Sequence, residues 1–174
     1  MTTWNIDPSH SAAHFTVRHM MISNVRGEFG ALAGSIEFDP AAPEAASASA
    51  SVETGTVNTR DEKRDAHLRS GDFFDVERHP QMAFRSTGVA RKGDGYALTG
   101  ELTIRGTTKE VTFHVEGPTA PEKDPWGNTR VGATATATID RRDFGLVWNA
   151  ALESGGVLVG HDMKITIDVS LVKA

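Results

Sequence analysis

The sequence predicts an all-β fold interrupted by one short helix. Apolar and polar residues alternate along most of the 174 residues, Gly- and Pro-containing turns punctuate the alternating runs, and only the stretch around 63–69 has helical composition. About eight strands joined by turns suit an antiparallel sandwich or a closed up-and-down barrel; periodicity does not choose between the two.

The run HFTVRHMMI places Phe15, Val17, His19 and Met21 on one face and Thr16, Arg18 and Met20 on the other. VRGEFGALAGSIEFD follows, where Gly27, Gly30 and Gly34 mark bulges or sharp bends. Residues 39–44, DPAAPE, read as a loop. From Ala46 the chain alternates Ala and Ser. Lys63 to Arg69 reads as helix, stopped by Ser70-Gly71. Strands resume after Pro80 with MAFRSTGVAR, a tight turn at Lys92-Gly93-Asp94-Gly95, YALTGELTI, a turn at Arg105-Gly106, and KEVTFHVEG. Pro118 to Asn128 reads as a loop, GATATATID as another small-residue strand, and Arg141 to Gly156 as irregular. In HDMKITIDVSLV, Met163, Ile165, Ile167 and Val169 alternate with Lys164, Thr166 and Asp168.

The length fits one domain over residues 1–174, and 39% hydrophobic residues suffice for a core. A net charge of −5 with scattered basic residues argues against nucleic acid and against an electrostatic membrane anchor. The absence of cysteine removes disulfides and thiol chemistry. No apolar run approaches the ~20 residues of a spanning helix, so stable membrane insertion is not expected. The opening MTTWNIDPSHS lacks the basic and apolar regions of a secretory signal, which predicts a cytoplasmic location.

Two strands consist almost wholly of small residues: Ala46 to Ser51, and Ala133 to Thr138. An inward face of small side chains leaves a barrel partly hollow. The same alanines could instead make room for bulky neighbours in a close-packed core. Candidate lining residues are Phe15, Val17, Phe29 and Phe38, with Ala48, Phe84 and Phe113, and with Ala135, Trp148 and Ile165.

The segment KRDAHLRSGDFFD reads as a charged helix followed by a plug, with Phe73 and Phe74 turned inward and Asp72 and Asp75 in water. It predicts a lid or a structural cap, Arg64 and Asp65 pinning the short helix. Arg64, His67 and Arg69 are the candidates to meet a polar head group at a mouth.

Motifs for chemistry are weak. His10, His14 and His19 show no metal-ligand spacing, and no metal or cofactor is expected. Asp7-Pro-Ser-His contains triad residue types, yet as sequence neighbours they suit a turn with local side-chain bonds. Arg141-Arg142-Asp-Phe reads as a structural Arg–Asp pair more readily than as an anion contact.

In order along the chain stand Trp4-x-Ile6-Asp7-Pro8-x-His10-Ser11 with Phe15, Val17 and His19; Gly27-x-Phe29 and Gly34; Arg64-Asp65-x-His67-Leu68 with Asp72-Phe73-Phe74-Asp75; Pro80 and Phe84 with Ser86-Thr87; Gly100-x-Leu102-Thr103-Ile104-Arg105-Gly106-Thr107-Thr108; and Arg142-x-Phe144-Gly145. From Trp4 to about Leu171 the chain resembles the YceI-like family of lipocalin-like, polyisoprenoid-binding barrels. The resemblance implies an extended eight-stranded antiparallel barrel with a helical insertion. It also implies an apolar cavity for a polyisoprenoid or isoprenoid quinone, and no catalysis. His161-Asp162 departs slightly from the family's more usual pair. The rivals are an enzyme acting on a small apolar substrate through His10 or His67, and a binder that sequesters other lipophilic molecules. A homodimer stays open.

Overall fold

The computed structural model describes residues 1–174. Its strands are β1 (Thr2–Ile6), β2 (Ala12–His19), β3 (Ser23–Phe29), β4 (Ala33–Phe38), β5 (Ser47–Glu53), β6 (Gln81–Lys92), β7 (Gly95–Ile104), β8 (Thr107–Glu116), β9 (Glu122–Lys123), β10 (Thr129–Asp140) and β11 (Val159–Lys173), with one helix, α1 (Glu62–Arg69). Eight strands close an antiparallel barrel in the order β1-β4-β5-β6-β7-β8-β10-β11, and β11 pairs back onto β1. The choice between sandwich and barrel is thus settled as a barrel.

The strand β11 closes the ring. One edge pairs with β10 from Asp162 to Val172. The other edge pairs with β2 from Val159 to Asp168 and with β1 from Leu171 to Lys173. The β2–β3 hairpin therefore continues the wall beyond the end of β1. Closure leaves few free edges, which is how barrels protect their backbone groups.

Local sequence accounts for the turns. Arg105 and Gly106 both take positive φ, 50° and 72°, as a two-residue turn matched to strand twist requires. Two expectations need correction. The β2 strand stops at His19, because Met20 and Met21 enter the left-handed region and turn the chain, so Met21 does not extend the alternation. The loop expected at 118–128 contains the short β9, paired with Thr129 and Arg130. In addition, the strand β1 carries no strand prediction, although Trp4 and Ile6 are both buried on it.

The helix α1 follows its predicted bounds closely. Asp61 caps its N-terminus, the carboxylate accepting from the Arg64 amide at 3.1 Å, and the helix ends at Ser70. Eight residues do not make a stable helix alone. Tertiary hydrogen bonds hold it instead. The buried Asp65 accepts from the Thr59 amide (2.9 Å) and hydroxyl (2.6 Å), while Arg64 donates to the Thr59 hydroxyl and carbonyl, both at 2.7 Å. Arg69 donates to the carbonyls of Gly55 and Val57, and Arg105 donates to the Phe73 carbonyl.

The register gives the barrel two unlike ends. One carries α1 and residues 70–79, the β7–β8 turn, and the segment 141–158. The other carries the connections 39–46, 93–94 and 117–128. With 12 residues at ~3.3 Å each and a tilt of ~40°, β6 spans about 28 Å along the barrel axis.

Candidate functional site

Alternation decides what faces inward. Along β5, Ala48, Ala50 and Val52 turn in while Ser47 and Ser49 are exposed. Along β10, Val131, Ala133, Ala135, Ala137 and Ile139 turn in, opposite Leu171, Val169, Ile167, Ile165 and Met163 of β11. The alanine faces thus point to the interior, and the small side chains leave it hollow. The barrel encloses an elongated cavity of about 240 Å³, and 30 of its 36 lining residues are hydrophobic. It runs from Phe15, Phe29 and Ile104 near the helix to Phe38, Tyr96 and Pro118 near the loops. At the helix end the walls are tightly packed: Ile104 is 1% exposed, Phe15 5% and Phe29 7%. Midway and at the loop end, Ile36, Ala50, Leu98, Ala135 and Val115 are only half-buried although they face inward.

Of the residues predicted to line a hollow, Phe15, Phe29, Phe38, Ala48, Phe84, Phe113, Ala135 and Ile165 line this lumen. Val17 and Trp148 do not, and neither do Phe73 and Phe74, the expected plug. They line a second cavity of about 140 Å³, set between α1, the β2–β3 hairpin and the 141–159 segment. Phe73 and Phe74 are turned inward, 6% and 3% exposed. Phe74 presents its ring edge to Phe29 at 5.3 Å, and lies 6.4 Å from Phe15. Phe15 and Met163 border both cavities, so together they form the partition. Gly27 lets the Phe15 ring lie flat there, since a Cβ at that position would strike it.

The three predicted head-group residues separate. Arg64 and His67 border the second cavity, and Arg69 borders neither. Both arginines donate to backbone carbonyls, and Arg64 also donates to the Thr59 hydroxyl. His67 holds Asp72 at 2.9 Å and packs edge-on against Trp148 at 4.6 Å and Phe73 at 5.0 Å.

Sequence reasoning missed several lining residues. Trp4 and Ile6 sit at alternate positions of an unrecognised strand. Met82, Tyr96 and Leu98 occupied visible alternating positions on β6 and β7. Trp4 also carries a buried Nε1 without a hydrogen-bond partner, an arrangement that costs on the order of 1–3 kcal/mol.

Polar constellations lie away from the lumen. Asp7 accepts from Ser9 and caps the Pro8–His10 turn, as its local sequence suggested. Asp7 (2.9 Å) and Ser9 (3.1 Å) both meet Nδ1 of His10, whereas a relay uses opposite ring nitrogens. Arg130 bridges Asp7 and Asp124, each at 2.7 Å. These bonds from Arg130 hold both carboxyls well below the usual carboxylate range. Arg142 pairs with Asp140 at 2.6 Å and holds its carboxyl down at about 2. Arg141 is 3% exposed and donates to the carbonyls of Gly160, Leu146, Trp148 and Val159. Burial lowers its pKa from the ordinary arginine value.

A YceI-like domain model matches residues 4–171. The chain belongs to the YceI-like family. A UPF0312 protein of Staphylococcus aureus strain N315 is 35% identical over 164 residues, 94% of each chain. The crystal structure of a Campylobacter jejuni YceI protein aligns with a TM-score of 0.75 at 28% identity, over 90% of each chain. Two more distant structures share the fold. Burkholderia cenocepacia BcnA gives a TM-score of 0.79 at 22% identity, over 95% of this chain and 98% of BcnA. A polyisoprenoid-binding domain from Saccharophagus degradans gives 0.67 at 13% identity over both full chains. No helix of this YceI-like protein is long and apolar enough to cross a membrane.

Proposed function

We propose that this YceI-like protein binds a long apolar isoprenoid chain, of a lipid or of an isoprenoid quinone, in the barrel lumen and performs no chemistry on it. The observation that carries this reading is the continuous lumen, elongated, apolar over 30 of 36 lining residues, and built around two inward alanine faces. Each methylene that moves from water into such a space contributes up to about 0.8 kcal/mol, less the cost of ordering a flexible chain. A long, narrow guest gains most from it. The polyisoprenoid-binding name of a structural neighbour points the same way. Carriage, storage or sequestration all require such a site and no reacting group.

Organic-solvent extraction of the purified protein, with mass spectrometry of the extract, identifies the guest. Titration with prenols of increasing length tests the lumen itself, and affinity rises with length until the space is filled. Equal affinity for short and long chains, or none for either, overturns the proposal. Turnover of a bound compound would bring back the enzyme reading, and extraction of an unrelated lipophile would bring back general sequestration.

A further inference from the structure

We infer that the second cavity is a cationic vestibule that takes the oxyanion head group, carboxylate or phosphate, of the chain held in the lumen. This rests on the lumen reading above. In a protein of net charge −5, the 16 residues bordering this cavity include Arg18, Arg64 and Arg141, with His19 and His67, and no carboxylate. None of the three arginines makes a salt bridge with a carboxylate. Asp72 reaches His67 but is itself exposed and does not border the cavity.

Arg141 is the strongest of these features. Its guanidinium is buried and hydrogen-bonds only to neutral carbonyls, and the neighbouring Asp140 carboxylate is committed to Arg142, so no carboxylate forms a salt bridge with it. Buried charges are normally paired, because an isolated ion loses its hydration. An anion in the adjoining cavity supplies that pairing. Arg64 offers the direct contact: its Nε and Nη2 are committed to Thr59, leaving Nη1 without a protein acceptor. Arg18 stands exposed at the outer side of the cavity.

Phe15 and Met163, which border both cavities, and the Phe29–Phe74 contact at 5.3 Å separate this vestibule from the lumen. A chain that passes tail-first beyond the Phe15 ring leaves its head among the cations and its tail in the apolar space. The two cavities then serve two halves of one amphiphile.

The test compares geranylgeraniol with geranylgeranyl monophosphate on the full-length protein, with inorganic phosphate as competitor. The phosphorylated chain is expected to bind at least about tenfold more tightly, the scale of a hydrogen bond to a charged group. Arg64→Gln, His67→Gln and the exposed Arg18→Gln each reduce that preference while leaving the alcohol's affinity unchanged. The unchanged affinity also certifies that each variant is folded. Inorganic phosphate that binds alone, while the ester binds no tighter than the alcohol and is not displaced, assigns the vestibule to a free anion and overturns the head-group reading. Equal binding of ester and alcohol, indifferent to all three substitutions, overturns the vestibule and leaves the lumen standing. Failure of both chains to bind, with no binding of inorganic phosphate, overturns both.

Discussion

The helix end of the barrel and its middle are built from the same strands, yet aromatic rings fill the first, leaving only the small cavity beneath α1, while the second encloses the lumen. At the helix end Phe15, Phe29 and Phe74 interlock at 5.3–6.4 Å, and Val57, Phe144 and Ile104 are each 1% exposed. In the middle Ala48, Ala50, Ala133 and Ala135 face inward and leave the space between them open. Strand pairing runs through both regions, with irregularities between Ser86 and Gly88 and between Val159 and Met163. The difference is side-chain volume at inward positions, so a hollow is written into a barrel by choosing alanine on alternate residues.

This contrast can be broken by substitutions at either end. The largest effect is expected at the solid end. Phe74→Ala removes a buried ring that packs against Phe15 and Phe29 and should cost about 3–5 kcal/mol, read from urea denaturation. A loss below about 1 kcal/mol would mean that the helix end is as loose as the lumen. Asp65→Ala strips the Thr59 amide and hydroxyl of their acceptor and should cost about 1–3 kcal/mol, with α1 losing amide-exchange protection before the barrel does. Filling experiments sharpen the comparison. Val57→Phe overpacks the solid end and should cost about 1–3 kcal/mol, whereas Ala135→Phe enters open space and should change stability by less than about 1 kcal/mol. If the proposed function holds, Ala135→Phe also abolishes prenol binding. Equal penalties for the two would make the middle a packed core.

The smallest effect concerns pH. Arg130 ties Asp7 beside β1 to Asp124 in the 117–128 connection, and holds both carboxyls below their ordinary value near 3.8. A carboxyl whose folded pKa is depressed stabilises the fold above its unfolded value and loses that contribution as the pH falls below it. The melting temperature should therefore drop between about pH 5 and pH 2, and Arg130→Gln should flatten that drop. An unaltered slope in the variant would assign acid sensitivity to other carboxyls.

What the sequence made legible was whatever period and turn chemistry encode locally. Met163, Ile165, Ile167 and Val169 alternate cleanly, and β11 follows. Gly93-Asp94 and Arg105-Gly106 sit where the hairpins turn. The strand β1 escaped because five residues with one Trp and one Ile give too short a pattern. Met20 and Met21 misled because apolar side chains continued the alternation while the backbone had already turned. The site was legible in part. The alanine strands announced a choice between hollow and packed, but not which face turned inward. The division into lumen and vestibule was hidden, since it depends on Phe15 meeting Phe74 across 59 residues of chain. So was the buried Arg141, whose partners are carbonyls that no motif records.

The strand β11 carries a consequence for biosynthesis. It pairs with β10, β2 and β1, so the ring has no closing partner until this strand, the last of the eight barrel strands in chain order, is made. While the ribosome is still adding it, the nascent chain presents an unclosed sheet with β1 and β10 as bare edges and its apolar interior facing water. The pairing of Trp4 with Lys173 is highly non-local, and such topologies fold in about milliseconds to seconds rather than microseconds. Closure of the barrel therefore depends, during each round of synthesis, on how quickly the fifteen-residue β11 finds β10, β2 and β1.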